Sequence, residues 1–328
     1  MNTAAKLAAY GAVLALVAGG AWAAGSAVGP LSVEAAGHDG TGAEDAGHGD
    51  DHSATVAGAA QDQPAGLASS RDGYTLAPVD TTLTAGTTDA FSFRITGPDG
   101  AAVTAFDVEH DKRMHLIVVR RDTSGFLHVH PEMAADGTWT VPLGIAEAGS
   151  YRVFADFKPA GGEAATLGVD VSAAGQYEPR QYAPSRVAEV DGYQVRLDGE
   201  LVPGKASPVK LTVTKDGAPV TDLQPYLAAY GHLVALRQGD LAYLHVHPEG
   251  APGDGKTAAG PEIAFVAEVP SAGGYRLFLD FQHGGVVRTA EFTVTTEGTA
   301  AEQPAQTTTA PSTPAESGHQ EEEGHGHG

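Results

Sequence analysis

The chain contains no cysteine in its 328 residues. This absence excludes disulfides, iron–sulfur clusters, thiolate zinc sites and cysteine nucleophiles. Only three methionines are present, so any metal site must rely on nitrogen and oxygen ligands. Positive charge is also scarce, because 19 Lys and Arg face 41 Asp and Glu and give a formal net charge of −22. We therefore expect no nucleic acid partner and no anionic lipid surface as a partner, since both require a basic surface.

A long apolar run occurs only in the first 30 residues. The run from Leu7 to Val28 is rich in Ala, Gly, Leu and Val, and it is preceded by Lys6 as the one early charge. It approaches the roughly 20 residues that a membrane-spanning helix needs. The letters "AWAAG" at residues 21–25 also offer a cleavage site of the A-x-A type. Residues 1–30 are thus a signal peptide or an anchoring helix, and we favour the anchor. In either case we expect the body to be exported, facing the extracytoplasmic side of the cell membrane or secreted.

Two segments combine acidic residues and histidine with few large apolar residues. Residues 31–70 hold seven Asp and Glu and residues 297–328 hold six, and neither segment has Lys or Arg. Such composition predicts disorder. We expect solvated spacers, or loose metal capture by the tail histidines, which are His38, His48, His52, His319, His325 and His327.

Between these segments the sequence is duplicated. The letters "LHVHP" occur at residues 127–131 and again at residues 244–248, and similar flanking strands surround both copies. Short alternating runs between Asp-Gly and Gly-Gly turns predict an all-β fold of two tandem immunoglobulin-like β-sandwiches. We place repeat one at residues 71–172, a linker at 173–189 and repeat two at 190–296. The motif AG-x-Y at Tyr151 and Tyr275 resembles the tyrosine corner of such sandwiches.

The spacing of the histidines predicts a cluster in each repeat. Side chains at i and i+2 of a strand share a face, and a third histidine precedes each pair by 13 residues. A two-residue hairpin loop at Gly239-Asp240 would place His232 opposite His247, and the same arithmetic would place His115 opposite His130. The candidate metal ligands are therefore His115, His128 and His130 in repeat one and His232, His245 and His247 in repeat two.

Aspartates at the outer ends of late strands could complete these sites. Strand alternation turns Asp156 and Asp280 to the same outer face as the histidines, and the other face supplies the core. Three imidazoles suit a transition metal, and the Irving–Williams order favours Cu²⁺, with Zn²⁺ second. Hydrogen-bonded structural histidines are the alternative. His110 and His283 have no counterpart in the other repeat and are interpreted as ordinary surface residues.

A family resemblance agrees with the metal interpretation. The letters "TKDGAPV" before a strand, the AG-x-Y strand and the exported two-domain layout resemble the small immunoglobulin-like domains of the YtkA/FixH type. They are more distantly similar to CopC-like periplasmic copper carriers. This resemblance implies a role in extracytoplasmic metal homeostasis, with a metal-transporting membrane protein as a partner. CopC-like proteins use an N-terminal histidine, and this chain has none at the mature start that cleavage at residues 21–25 would give.

The outer histidine faces also carry large apolar side chains, which normally mark an interaction site. One hypothesis is that the two faces pack together about a pseudo-twofold axis, and the other is that each docks an external partner. The residues are Ile117, Val119, Phe126 and Phe154 in repeat one and Val234, Leu236, Tyr243 and Phe278 in repeat two.

These observations predict a non-enzymatic, exported metal-binding protein that contacts the membrane through its N-terminal segment only. A cell-envelope interaction or scaffold module without metal is the alternative. A copper/zinc superoxide dismutase-like enzyme is a third interpretation, because "GFLHVHPE" is similar to its G-F-H-V-H strand. Leu127 interrupts that motif, and the enzyme's disulfide would need cysteine.

Overall fold

The computed structural model describes residues 63–296, apart from residue 245 and the side chain of His247. The predicted N-terminal helix, the predicted disorder of residues 31–62 and of the C-terminal tail, and the placement of His245 therefore lie outside the described residues. The predicted disorder of residues 31–70 is wrong for residues 63–70, because Ala65 forms a β-bridge with Tyr243 and Ser70 begins the first strand. Within residues 63–296 every regular element is a strand. No helix in this range is long and apolar enough to cross a membrane.

Repeat one is a sandwich of two five-stranded sheets. The first has the strand order β1-β2-β4-β8-β7 and the second the order β3-β10-β9-β5-β6. Neighbouring strands are antiparallel except β3 and β10, which are parallel. The strands are β1 Ser70–Arg71, β2 Tyr74–Pro78, β3 Thr82–Leu83, β4 Thr87–Thr96, β5 His115–Arg120, β6 Leu127–Val129, β7 Glu132–Met133, β8 Thr138–Ile145, β9 Gly149–Phe157 and β10 Ala165–Ala173.

Repeat two repeats this plan. One sheet has the order β11-β12-β13-β18-β17, with β14 beside β13, and the other has the order β16-β15-β19-β20. The strands are β11 Val187–Val190, β12 Tyr193–Asp198, β13 Ala206–Lys215, β14 Ala218–Pro219, β15 His232–Arg237, β16 Tyr243–Leu244, β17 Val246–Pro248, β18 Glu262–Glu268, β19 Gly273–His283 and β20 Val286–Thr296.

The alternation expected from the sequence is present in both late strands. Tyr151, Val153 and Ala155 of β9 lie in the core of repeat one, and the matching residues of β19 lie in the core of repeat two. The hydroxyl of Tyr151 donates to the carbonyl of Glu147 at 2.7 Å, four residues earlier. Tyr275 bonds the carbonyl of Ser271 in the same way, also at 2.7 Å. The prediction of two tandem immunoglobulin-like sandwiches is confirmed.

The hairpin after β15 differs from the expected one. Its register is as predicted, since Ala235 lies opposite Leu244. The loop, however, contains four residues rather than two, because the amide of Arg237 bonds the carbonyl of Ala242. The chain then changes sheets: β17 pairs with β18, which places His247 opposite Val266 rather than opposite His232. A strand that turns a sandwich corner in this way cannot keep its hairpin pairing.

The outer faces of the two repeats pack against each other. A third apolar cluster joins Ile117, Val119 and Phe154 of repeat one to five residues of repeat two, which are Val234, Leu236, Leu241, Tyr243 and Phe278. The rings of Phe126 and Phe278 stack across this contact with centroids 4.0 Å apart. The hypothesis that the two histidine faces pack together is therefore confirmed, and we call this contact the inter-repeat interface.

The linker is fixed to both repeats by cation–π contacts. The guanidinium of Arg120 lies over the ring of Tyr177 at 5.2 Å, and that of Arg276 lies over Tyr182 at 3.8 Å. Arg120 also donates to the carbonyl of Glu178. Both arginines are almost fully buried. These contacts fix the linker against β5 of repeat one and β19 of repeat two.

Candidate metal centre

Three histidines of repeat one converge where β5 and β6 meet the inter-repeat interface. His115 begins β5, His128 lies in β6, and His130 follows β6 directly. Each offers one ring nitrogen, and these three atoms lie within 4.8 Å of one another. The rings of His115 and His130 have centroids 5.0 Å apart, in agreement with the predicted register. We call these three residues the histidine triad.

Hydrogen bonds fix the tautomers of two triad members. Nε2 of His115 lies 3.1 Å from the carbonyl oxygen of Glu109, which can only accept, so this nitrogen carries a proton. Nδ1 of His128 lies 2.8 Å from Oδ2 of Asp280 and donates to that carboxylate. In the neutral rings the other nitrogens, Nδ1 of His115 and Nε2 of His128, therefore carry lone pairs.

These two lone pairs face each other. Nδ1 of His115 and Nε2 of His128 are 3.1 Å apart, and His115 is buried. Two acceptors at this distance repel unless a cation lies between them, either a proton on one ring or a metal ion bound by both. Two nitrogens that each bind one ion at about 2.0–2.1 Å are separated by about 2.9–3.4 Å for bond angles between square and tetrahedral. The observed separation fits a shared metal ion.

His130 supplies a third nitrogen in an environment that keeps the ring neutral. Its Nε2 is buried and has no hydrogen-bond partner among the described residues. Burial lowers the pKa of His130 to about 3, and the charges of His128, His115 and Lys112 act in the same direction. A neutral imidazole is the form that binds metal. An unsatisfied buried nitrogen also costs free energy that a bound ion would recover.

Repeat two contributes a fourth histidine to this region. The ring of His232 stacks on that of His115 with centroids 5.5 Å apart and lies 4.8 Å from that of His128. Its Nδ1 is buried without a partner among the described residues. Burial, followed by the charges of the neighbouring histidines, lowers the pKa of His232 well below its ordinary value. The sequence placed His232 in a separate cluster, whereas the structure sets it against the triad of repeat one.

His110 belongs to this region too, although the sequence interpretation made it an ordinary surface residue. Its ring centroid is 6.1 Å from that of His115 and 5.7 Å from that of His232. It lies in a turn with φ of 49°, outside any strand, and repeat two has no matching histidine. The only sequence signal was its proximity to His115. His283, by contrast, lies elsewhere and bonds Tyr193 and Asp222.

The two predicted carboxylates are placed at equivalent positions of the repeats. Asp156 lies opposite His115 in the β5–β9 register, and Asp280 lies opposite His232 in the β15–β19 register. Thr166 donates to Oδ1 of Asp156 at 3.0 Å, and Thr289 donates to Oδ1 of Asp280 at 2.6 Å. Asp280 is almost fully buried and its other oxygen accepts from His128, so it orients the His128 ring rather than joining the triad.

Two tyrosines of repeat two and one methionine complete the surroundings. Burial raises the pKa of Tyr243 well above its ordinary value, and so does the charge of Asp156, to which its hydroxyl is bonded. Burial and the charge of Asp280 raise the pKa of Tyr226 to about 12, and its ring lies 6.4 Å from that of His130. Met114 is buried in the core of repeat one, so its thioether does not serve the triad. The available donors are imidazole nitrogens.

A protein-family comparison matches the chain twice. The family, described as a domain of unknown function (DUF8832), matches residues 68–175 and residues 188–298. These two ranges contain both sandwiches and together make up more than half of the chain. No curated protein matches it.

Several solved structures of bacterial proteins are similar to this chain at low identity. The Escherichia coli adhesin FdeC is 14% identical over 70% of this chain and 65% of its own, with a TM-score of 0.23. Invasin, a bacterial integrin-binding protein, is 12% identical over 67% of this chain and 39% of its own, with a TM-score of 0.21. A putative membrane anchored protein from Corynebacterium diphtheriae is 10% identical over 69% and 57%, with a TM-score of 0.21. The chain thus spans less than two thirds of each of these proteins, and likeness at this level carries no functional argument.

Proposed function

The chain belongs to the DUF8832 family, and because that family has no assigned function, we propose from the site itself that the protein is an exported metal-binding protein. Its ligands are His115, His128 and His130, with Cu²⁺ the favoured ion and Zn²⁺ the second. The observation that carries this proposal is the 3.1 Å separation of Nδ1 of His115 and Nε2 of His128, a contact that a proton or a shared metal ion can bridge. Hydrogen bonds to the carbonyl of Glu109 and to the carboxylate of Asp280 hold the opposite nitrogens of the two rings.

The donor set supports the choice of metal. Neutral imidazoles suit Cu²⁺ and Zn²⁺, while Cu(I) prefers the thiolates and thioethers that this chain does not offer at the triad. Asp280 behind His128 gives a carboxylate–histidine arrangement of the kind that orients metal ligands. The protein would serve as a metal carrier or sensor in the cell envelope, passing ions to or from a metal-transporting membrane protein. The resemblance to YtkA/FixH-type and CopC-like domains belongs to the same proposal.

Metal content and affinity test this function directly. The full chain is purified without a His-tag, in a background where the six tail histidines are replaced by asparagine, so that the tails do not mask the site. His115→Ala and His128→Ala should each weaken Cu²⁺ binding by at least about tenfold. His283→Ala removes a histidine outside the triad and serves as the matched control. Equal affinity in all four proteins would reject the site.

A metal-free interaction or scaffold module of the envelope is the second candidate. The observation that favours it is that His128 and Asp280 bond across the inter-repeat interface and could simply fasten the two repeats. In this case a proton, not a metal, lies between His115 and His128. The same measurement of metal content and affinity separates the two functions, since the module would bind no stoichiometric Cu²⁺ or Zn²⁺.

A further inference from the structure

The metal site of repeat one contains groups from repeat two. Asp280 belongs to β19 of repeat two, yet its Oδ2 accepts the Nδ1 proton of His128 in repeat one at 2.8 Å. Both side chains are almost inaccessible, with 2% of His128 and 4% of Asp280 exposed. The second oxygen of Asp280 is held by Thr289, so the carboxylate has a fixed orientation. Repeat one alone would leave the His128 ring without this partner.

Repeat two also encloses the triad. The ring of His232 covers His115 in a stacked arrangement, with an interplanar angle of 11°, and Tyr226 lies beside His130. The stacked rings of Phe126 and Phe278 belong to the same interface, and along the chain each lies two residues before His128 or Asp280. Separation of the repeats would therefore expose the triad to water and remove its orienting carboxylate together.

We propose that the two repeats form one metal-binding unit, in which Asp280 of repeat two is the positioning residue for the ligand His128 of repeat one and metal binding is thermodynamically linked to inter-repeat docking. This inference rests on the proposed metal function of the triad. Linkage is reciprocal: docking of the repeats raises the affinity for the ion by some factor, and the bound ion raises the equilibrium constant for docking by the same factor. A transporter or other partner that separated the repeats would thereby release the ion.

The first test compares Asp280 variants with a matched aspartate in the tail-substituted full chain. Asp280→Ala should weaken Cu²⁺ binding by about 10- to 100-fold, the usual effect of losing such an outer partner. Asp280→Asn should bind with intermediate affinity, because its amide oxygen still accepts the Nδ1 proton but lacks the charge. The control is Asp222→Asn, which alters an exposed aspartate bonded to His283 at 3.0 Å in the same repeat. The electron paramagnetic resonance spectrum of bound Cu²⁺ should change in the Asp280 variants and stay unchanged in the control.

The second test measures docking itself. The chain has no native cysteine, so Val79→Cys and Val286→Cys, both at exposed positions in different repeats, take one spin label each. Phe278→Ala removes half of the Phe126 stack without touching a triad histidine. This variant should show a broadened inter-label distance distribution without metal, and diamagnetic Zn²⁺ should narrow it again. The Zn²⁺ affinity of this variant should fall in proportion to the fraction of molecules in which the repeats are undocked.

The outcomes separate this inference from the proposed function. If His115→Ala binds Cu²⁺ as tightly as the unsubstituted triad, the metal function itself fails. If the triad substitutions weaken binding but Asp280→Ala and Phe278→Ala keep full affinity, the triad is a metal site and the linkage is wrong. Thermal unfolding of each metal-free variant shows whether it is folded. Should Phe278→Ala not fold, the Asp280 series alone decides, since loss of affinity and a changed spectrum are both required there.

Discussion

Acid should destabilise the metal-free protein through two buried histidines. The pKa of His130 is lowered to about 3 and that of His232 lies well below its ordinary value, in both cases chiefly because burial disfavours the charged ring. Unfolding returns both rings to water, where their pKa is about 6.5. Below that value the unfolded chain binds more protons than the folded one, so stability is lost as the pH falls, and for His130 the loss continues down to about pH 3.

The magnitude follows from the same linkage. Between about pH 7 and about pH 5, a histidine that stays neutral in the fold but titrates at about 6.5 when unfolded costs about 1.9 kcal/mol of folding stability. His130 should therefore cost up to about 1.9 kcal/mol over this range, reduced by solvent screening of its partly exposed ring, and His232 should add a loss of the same sign. Even the loss from His130 is an appreciable part of the roughly 5–15 kcal/mol by which proteins are normally stable.

Urea unfolding of the metal-free, chelator-treated full chain measures this loss at the two pH values. His130→Gln should reduce the pH-dependent loss by up to about 1.9 kcal/mol relative to the wild type, and His232→Gln should reduce it in the same direction, because glutamine does not titrate. Taking the difference between variants cancels the contribution of titrating groups that do not interact with the substituted histidine. His283→Gln is the control and should keep the wild-type loss. If the two cluster variants lose as much stability in acid as the wild type, the argument from burial is refuted.

Three further predictions concern release, capacity and the sandwich corners. Bound Cu²⁺ should be released in acid, since protons compete for imidazole, and the lowered pKa of His130 should extend the release below the range of roughly 6 to 4 expected for an exposed histidine site; ion retention that is flat down to about pH 2 on a metal-content profile would exclude histidine ligation. The tail-substituted chain should bind one ion, because β17 carries His247 into the other sheet and His232 lies against the triad of repeat one, and a measured stoichiometry of two ions would show a separate site in repeat two. Tyr151→Phe should lower the free energy of unfolding by about 1 kcal/mol through loss of its bond to Glu147 while leaving metal affinity unchanged, and a changed affinity would show that the corner also shapes the site.

The faces of strands were predictable from sequence because alternation has a strict period of two. Tyr151 and Val153 could be assigned to the core, and Phe126 and Phe278 to an outer apolar face, from position alone. An apolar patch of that size indicated an interface, but the sequence left open whether the other repeat or an external partner covers it, and the structure decided for the other repeat. Register was also predictable, since a loop centred on Gly239-Asp240 fixes which residues oppose each other.

Strand alternation could not predict which residues come together at the candidate site. Alternation places Asp280 on the histidine face of its own repeat but cannot show that it reaches across the interface to His128. The change of sheet around residue 245 depends on packing at the sandwich corner, which a local pattern does not encode. His110 was missed because the matching left-handed turn of repeat two carries Leu227 in its place, so comparison of the repeats worked against it.

The account depends most on an ion lying between His115 and His128. Crystals of the full chain grown with Cu²⁺, or with Zn²⁺, allow the ion to be located by anomalous scattering at its absorption edge. The account predicts a peak about 2.0–2.1 Å from both Nδ1 of His115 and Nε2 of His128, with a ring nitrogen of His130 as a further ligand. A fully loaded protein with no anomalous peak at the triad, and with these two nitrogens still hydrogen-bonded to each other, would contradict it.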